Sequence, residues 1–260
     1  MYFLNHTCPT VAEDLALDEA LLDYVEQTAA AREADLGEGA APPEFLRLWE
    51  ARRTAVVLGR SSSLDGEADL PACRAAGVEV LRRTSGGAAV VVGPGCLMYS
   101  VVLAYHNHPQ LRAIDEAHRY VLRHVVEGVR DLAAGAGIRG TSDLAVATPA
   151  TSERKFSGNA LRCRREALLY HGTLLYDFPL AQIGSLLRTP PRQPDYRAGR
   201  AHGDFVMNLP AARAAIEQGV AGAFRAEAEL PSTLREQLLA EARRLADEKF
   251  ATSEWTSRVP

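Results

Sequence analysis

The sequence predicts an α+β fold, and three observations predict it. Two stretches, residues 11–25 and 114–132, carry apolar residues at helical spacing. Short apolar runs separated by glycine, proline or polar turns lie between and after them, at residues 45–49, 55–58, 78–83, 97–103 and 155–160. These elements come as helices interspersed with hairpins, without the strict strand–helix alternation that builds a wholly parallel sheet.

Composition narrows the class further. At 260 residues, 47% apolar, 24% charged and a formal net charge of −4, the chain has room for one large domain. The acidic balance argues against a nucleic-acid-binding surface spread over the molecule. Cys8, Cys73, Cys96 and Cys163 are scattered with no CxxC pair and no metal-ligand spacing. The N-terminal MYFLNHTCPT lacks a charged segment followed by an apolar one, and no apolar run reaches the roughly 20 residues that span a bilayer. A cytoplasmic protein with reduced thiols, no membrane partner and no resident metal is expected.

In chain order, Thr10 and Glu13 form a T-x-x-E capping box that starts the first helix. Val11, Leu15, Leu22 and Val25 mark its apolar face, and Asp14, Asp18, Glu19 and Asp23 are expected on a solvated one. Residues 29–43, rich in Ala, Glu and Gly, are expected to fray into a surface loop. Residues 45–49 and 55–58, separated by Arg52-Arg53-Thr54, read as a β-hairpin. Residues 71–76 should form a short helix ended by Gly77. His106 and His108, two residues apart with no third ligand nearby, are a poor metal site. The second long helix is expected to stop at Gly135 and Gly137, with His118 and His124 at its boundary. Residues 148–154 read as a polar hairpin loop, and 168–177 as a strand. Residues 211–224 and 232–249 read as two amphipathic scaffold helices packed on the sheet.

Two stretches hold the chemistry. RRTSGGAAVVVGPGCLMYS, residues 82–100, turns at Ser85-Gly86-Gly87 and again at Gly93-Pro94-Gly95. Glycine pairs admit positive φ and close ligand approach, successive N–H groups can cup an anion, and two preceding arginines add fixed charge. In residues 140–178, Lys155 heads the small-residue run Ser157-Gly158-Asn159-Ala160. Small side chains leave room for a ligand, and the lysine supplies a mobile point charge. The basic, proline-broken segment RTPPRQPDYRAGRAH from Arg188 is expected to be a mobile loop over the site or part of a carrier-docking surface.

Together these segments resemble the lipoate–protein ligase A family, a branch of the biotin/lipoate ligase catalytic domains. The similarity rests on RRTSGGAAV at 82–90, SDL at 142–144, KFSGNA at 155–160 and HGTLLYDF at 171–178. ALDEALL at 16–22, Trp49 with VVLGR at 56–60, and EKFATSEW at 248–255 support it. The resemblance covers nearly the whole chain in one order. It implies a mixed, largely antiparallel sheet flanked by helices, related to class II aminoacyl-tRNA synthetases and biotin ligases. It also implies that residues 1–260 form a single catalytic domain, with C-terminal helices at 211–249 and without the ligases' C-terminal accessory domain.

The implied chemistry activates lipoate or octanoate with ATP and Mg2+ to an acyl-adenylate. The acyl group then passes to a lysine of a lipoyl carrier domain, of the 2-oxoacid dehydrogenase E2 or glycine-cleavage H type. By resemblance, Lys155 is the catalytic lysine that contacts acyl carbonyl and phosphate. Arg83 with Ser85, Gly86 and Gly87 would hold the nucleotide, and Ala88, Ala89, Val90 and Val91 would line the nucleotide and acyl tunnel. Asp143 would lie near the adenylate, with Ser157, Gly158, Asn159, His171 and Gly172 around the acyl site.

There are departures: Ala88 replaces a third glycine, Val92-Gly93 a His-Asp pair, and Ser142 the usual Asn. GPGCL at 93–97 is similar to the octanoyltransferase branch, and the missing accessory domain implies a separate accessory subunit or an ATP-independent reaction. The alternative is therefore an octanoyl or lipoyl transferase acting through a cysteine thioester. Cys163, flanked by Arg162, Arg164 and Arg165, is the first nucleophile expected for it, and Cys96 the second. A non-catalytic acyl-carrier binder is the third reading.

Overall fold

The structure, a computed structural model, describes residues 1–34, 41–148, 151–189 and 193–259. The chain opens with strand β1 (Tyr2–Asn5) and helix α1 (Val11–Ala34). Thr10 caps α1 as its sequence pattern requires: the Glu13 N–H donates to the Thr10 hydroxyl at 3.2 Å, and that hydroxyl donates to the Glu13 carboxylate at 3.1 Å. The helix runs beyond the expected fraying point at residue 29, and residues 35–40 lie outside the described part.

Strands β2 (Phe45–Trp49) and β3 (Ala55–Leu58) follow. They are not a hairpin. All residues of both strands are buried, and strands covered on both faces belong inside sheets. β2 enters a large sheet and β3 a small one. Short helices α2 (Leu64–Glu67) and α3 (Leu70–Ala75) lead through Gly77, at φ +63°, to β4 (Glu79–Arg82), β5 (Val90–Val92) and β6 (Cys96–Ala104). Next come α4 (Ile114–Val129), β7 (Ala136–Arg139), β8 (Asp143–Thr148), β9 (Thr151–Cys163) and β10 (Ala167–Leu175). α4 stops before the two glycines expected to end it. The polar loop expected at 148–154 is mostly strand, and residues 149–150 lie outside the described part. The C-terminal third carries α5 (Ala181–Leu186), α6 (His202–Phe205), α7 (Arg213–Ala223), β11 (Ala228–Glu229), α8 (Ser232–Leu245) and α9 (Ser253–Ser257).

Among the described residues the large sheet has the strand order β11-β1-β2-β6-β10-β9-β8-β7, and the small one β4-β3-β5. β1 pairs in parallel with both β11 and β2, and the remaining pairs of the large sheet are antiparallel. This is the mixed, largely antiparallel α+β arrangement expected from the sequence.

Side-chain alternation splits the core in two across the large sheet. Phe45, Trp49, Cys96, Met98, Val102, Ala167, Leu169 and Leu175 face α1 and the small sheet. Leu46, Leu48, Leu97, Tyr99, Val101, Leu103, Leu168, Tyr170 and Leu174 face α4. The two late helices form outer layers: α8 packs on α1 and α7 on α4, rather than on the sheet as expected.

The α4–α7 crossing is a backbone contact. A Cβ at Gly219 would stand 1.9 Å from the Gly128 carbonyl oxygen, whereas a Cβ at Gly222 on the same helix would meet nothing within 4 Å. Gly222→Ala should therefore gain up to about 1 kcal/mol of helix propensity. Gly219→Ala should lose about 1–3 kcal/mol through overpacking, read as opposite shifts of the urea midpoint.

Candidate active site

Strand parity puts three polar residues on an otherwise apolar face. Arg47 on β2 pairs with Ser100 on β6, and Ser100 with His171 on β10, in one row across the sheet. Each is 5% exposed or less, and α1 lies over them. α1 answers with Asp14 and Asp18, both 1% exposed. These carboxylates are not on a solvated face, because a fully buried guanidinium needs paired acids beside it. Asp18 takes Arg47 Nη1 at 2.7 Å, the Ser100 hydroxyl at 2.7 Å and His171 Nδ1 at 3.1 Å, and Asp14 takes Arg47 Nη2. Burial works to raise the Asp18 pKa, but the His171 hydrogen bond and the Arg47 charge hold it below the usual carboxylate range. Burial pushes Asp14 up to about 6 against the pull of Arg47. Glu19, one residue on, is buried too and pairs with Lys249 at 2.5 Å and Arg164 at 3.4 Å.

The row continues into the first glycine turn. His171 Nε2 lies 2.6 Å from the Ser85 hydroxyl, which also accepts Arg83 Nε at 3.0 Å. The tautomer that satisfies both contacts donates Nδ1–H to Asp18 and accepts the Ser85 O–H at Nε2. Arg83 spends its other donors on the turn itself, bonding the carbonyls of Val57 at 3.1 Å, Ala88 at 3.0 Å and Gly86. Burial draws its pKa down to about 10, so it stays charged at neutral pH. Glu67 accepts the Ala89 N–H at 2.6 Å, and a Cβ at Gly59 would fall 1.9 Å from the Gly87 oxygen. Gly87 itself sits at φ +86°. The turn is thus braced on its inner side by Arg83, Ser85, Glu67 and the Gly59 backbone.

A cavity of about 440 Å³ opens beside it, walled by both sheets. Among residues expected at the site, Arg83, Gly87, Ala88, Ala89, Val90, Val91, Asp143, Lys155, Ser157, Gly158, Asn159, His171 and Gly172 line it. Ser85 and Gly86 do not: Ser85 is fully buried as the His171–Arg83 link, and Gly86 is exposed. Leu15, Trp49, Val57, Met98, Leu175 and Ile183 give the cavity an apolar wall.

Lys155 reaches the cavity through a bulge. The β8–β9 register runs Leu144 to Ser157, then Ala145 to Lys155, so β9 carries one extra residue there. Phe156 packs in the second core, and Lys155 lies beside Gly158, where a Cβ would be 2.9 Å from its Nζ. Nζ pairs with Asp143 Oδ1 at 2.6 Å, and Tyr196 donates its hydroxyl to Asp143 Oδ2 at 2.8 Å. Asn159 is braced by the Tyr99 hydroxyl, by Ser157 and by the Ser142 carbonyl at 2.7 Å. A Cβ at Gly172 would collide with the Asn159 amide oxygen at 1.8 Å, so glycine there makes space for that amide.

The cysteines lie elsewhere. None of the four lines the cavity, and each is an unbridged thiol. Cys96 is fully buried, and burial drives its pKa far up; burial likewise raises Cys8 to about 12 and lifts Cys73. Cys163, opposite Leu168 at the far end of β9, is half-buried beside Tyr105. Cys163 stands at the end of β9 remote from the cavity, while Cys96, opposite the cavity-lining Leu175 and two residues from Met98, is buried behind the wall and does not itself line it.

Two titratable residues of the cavity wall were not singled out in the sequence. Arg197 is 4% exposed; its Nε donates to the Arg200 carbonyl at 2.9 Å, and its guanidinium lies 5.0 Å from the Phe205 ring centroid. Its Nη groups have no hydrogen-bond partner among the described residues. His202 also lines the cavity; burial, then Arg197 and Lys155, push its pKa down, so the imidazole is neutral. Both lie on the irregular segment that begins at Arg188, whose residues 190–192 are outside the described part. No group of three or more His, Cys, Asp or Glu able to hold a metal occurs among the described residues. Nor is any described helix long and apolar enough to cross a membrane.

The Arg47 cluster yields a stability test. Arg47→Met leaves Asp14 and Asp18 buried without their cation, and should cost about 3–5 kcal/mol in denaturant unfolding. Ser100→Ala, which removes one neutral donor, should cost no more than about 1–2 kcal/mol.

Comparison with known proteins agrees with this architecture. Octanoyltransferase LipM of Oceanobacillus iheyensis is 25% identical over 96% of this chain and 94% of its own. The LipM of Carboxydothermus hydrogenoformans is 29% identical over 98% of both. A probable lipoate-protein ligase A of Mycoplasma genitalium is 28% identical over 55% of this chain and 40% of its own. In structure, the bipartite lipoate protein ligase of Thermoplasma acidophilum superposes with a TM-score of 0.78 at 21% identity, covering 100% of this chain and 96% of that one. A lipoate-protein ligase A bound with ATP gives a TM-score of 0.74 at 22% identity, covering 100% and 99%. Residues 10–216 match the model of the lipoyl protein ligase A/B catalytic domain, and the chain belongs to that family.

Proposed function

We propose that this chain is a lipoate–protein ligase that converts octanoate or lipoate with ATP to an acyl-adenylate, then passes the acyl group to a lysine of a lipoyl carrier domain. The observation that carries this reading is the character of the cavity wall: cations for a phosphate, and no thiol for a thioester. Residues 1–260 would act as a single catalytic domain in a reducing cytoplasm.

In the first half-reaction a carboxylate oxygen attacks the α-phosphorus, and the bond to pyrophosphate breaks. Negative charge grows on phosphate oxygens, and fixed cations stabilise it without reorganising. Lys155 would meet that charge, with Asp143 holding its amine in position beforehand. The unpartnered Nη groups of Arg197 would supply a second contact. Asp143, the carboxylate on the cavity wall, would hold a Mg2+ brought by the nucleotide, and an ion bound there would offset negative charge on the phosphates. In the second half-reaction the carrier amine attacks the acyl carbonyl and AMP leaves. One proton is released, and the neutral His202 is placed to accept it. The acyl chain would lie along the apolar wall.

A second reading, ATP-independent octanoyl transfer, is favoured by the LipM relatives, which align over nearly their whole length. A two-part enzyme with a separate accessory subunit also fits, as the Thermoplasma neighbour is described as bipartite.

Purified protein should release pyrophosphate from ATP only when octanoate or lipoate is present, and Cys96→Ala and Cys163→Ala should each keep most activity. Octanoyl transfer from a carrier without ATP, abolished by one cysteine substitution, would establish the second reading instead. A chain that transfers preformed octanoyl-AMP but releases no pyrophosphate alone would match the two-part arrangement. Lys155→Ala should lower kcat about 10²–10³-fold, the loss seen when a charge-stabilising donor is removed. Arg197→Gln should lower kcat/KM for ATP about tenfold or more, and Arg197→Lys should recover part of it. Unchanged kinetics in both variants would remove the cavity cations from the mechanism.

A further inference from the structure

Two half-buried arginines beside the glycine turn carry charge without a partner among the described residues. Arg60 follows β3, and its N–H bonds the carbonyl of Ser85 at 2.8 Å, so it sits against the outer side of the glycine turn. Arg162 lies on β9 two residues beyond Ala160, whose Cβ faces Gly87 across the turn. Two residues along a strand share a face, so Arg162 points to the side occupied by Arg60. Both side chains are half-buried. Neither guanidinium has a hydrogen-bond or ion-pair partner among the described residues, and Arg162 Nε is a buried donor left unsatisfied.

The contrast with neighbouring arginines is informative. At the tip of the β9–β10 hairpin, Arg164 pairs with Asp23 at 2.6 Å and Arg165 with Glu166 at 3.1 Å, and Arg112, just before α4, pairs with the same Glu166 at 3.1 Å. The chain has 33 acidic residues against 29 basic ones, so acids are not scarce. Arg52, Arg53, Arg74, Arg123, Arg225 and Arg243 also lack a hydrogen-bond or ion-pair partner among the described residues, but they are exposed to water, whereas Arg60 and Arg162 are half-buried. Arg60 and Arg164 both repel Arg162, with Glu19 the opposing attraction. Like charges left adjacent and half-desolvated are a cost that a partner's carboxylates relieve.

We infer that Arg60 and Arg162 form the docking rim for the acceptor carrier domain, and that this domain presents carboxylates around its target lysine. The inference rests on the proposed acyl transfer to a carrier. Its geometry suits that step: a carrier seated on the two arginines stands over Gly87 and Ala160, so its lysine can enter beside Lys155. Charges on such a rim govern encounter rate and salt dependence more than chemistry.

The test measures binding rather than turnover. An unacylated lipoyl carrier domain is titrated calorimetrically into the full chain at 50 mM and 300 mM NaCl. The wild type is compared with an Arg60→Glu/Arg162→Glu variant and with the milder Arg60→Gln/Arg162→Gln. Thermal midpoints are compared to establish that both variants fold. Both should bind the carrier more weakly at low salt, the Glu pair by about tenfold or more, with the difference shrinking at high salt as the charges are screened. Octanoate affinity should be unchanged. A carrier with carboxylates beside its lysine changed to Lys should regain affinity for the Glu pair. Unchanged carrier affinity would overturn the inference, as would loss of octanoate or ATP affinity in its place, which would assign the pair to the small-molecule site. If the wild type releases no pyrophosphate but carrier binding still depends on the pair, the ligase reading falls and the docking rim stands.

Discussion

One buried charge governs the architecture: the guanidinium of Arg47 on the inner face of the central sheet. A cation with no access to water is tolerable only if acids are brought to it, and the acids come from the first long helix. Asp18 then has spare acceptor capacity, which Ser100 and His171 fill from the next two strands. His171 in turn fixes Ser85, and through it the arginine that staples the glycine turn. The position of the glycine turn is thus set, contact by contact, by a helix packed on the same face of the large sheet.

The sequence revealed the elements far better than the polar interior. The capping box of α1, the Gly77 stop and the strands around both glycine turns were legible because local rules decide them. The pairing of β2 and β3 was not, since a short linker between two apolar runs looks the same whether the chain turns back or steps to another sheet. The acidic stripe of α1 was misread for a similar reason: helical periodicity locates a face but does not say what covers it. A sign was present in Phe-Leu-Arg-Leu-Trp, where strict alternation puts Arg47 on the same side as two aromatic residues. A buried cation there demanded carboxylates, and Asp14 and Asp18, one helical turn apart, were the available pair.

The site shows the same division. Glycine runs and the lone lysine were conspicuous, because small residues beside a charge have few structural explanations. The bulge that turns Lys155 toward Gly158 is invisible in sequence, since it depends on the register of a partner strand. Arg197 and His202 were hidden in a proline-broken segment with no periodicity. The segment was expected over the site or at a docking surface, but only the folded chain shows which of its residues wall the cavity, and the Met207 N–H that follows donates to the Lys155 carbonyl at 2.8 Å. The family contributed residues by motif, and the structure adds their contacts: Arg83 and Ser85 bond within the glycine turn, and of the two arginines that line the cavity Arg197 is the one with unspent donors.

Arg82, the neighbour of Arg83, has a consequence in time. Its guanidinium bonds the carbonyls of Gly59 and Ser62, and also those of Thr256 and Val259, while its own carbonyl receives the Trp255 indole N–H. The contacts with Thr256, Val259 and Trp255 join positions more than 170 residues apart. During synthesis the strand entering the glycine turn therefore lacks its final fastening until residues 256–259 have left the ribosome. A nascent chain cannot assemble its reactive pocket early, and a molecule cut short by a few residues would carry a loosened one.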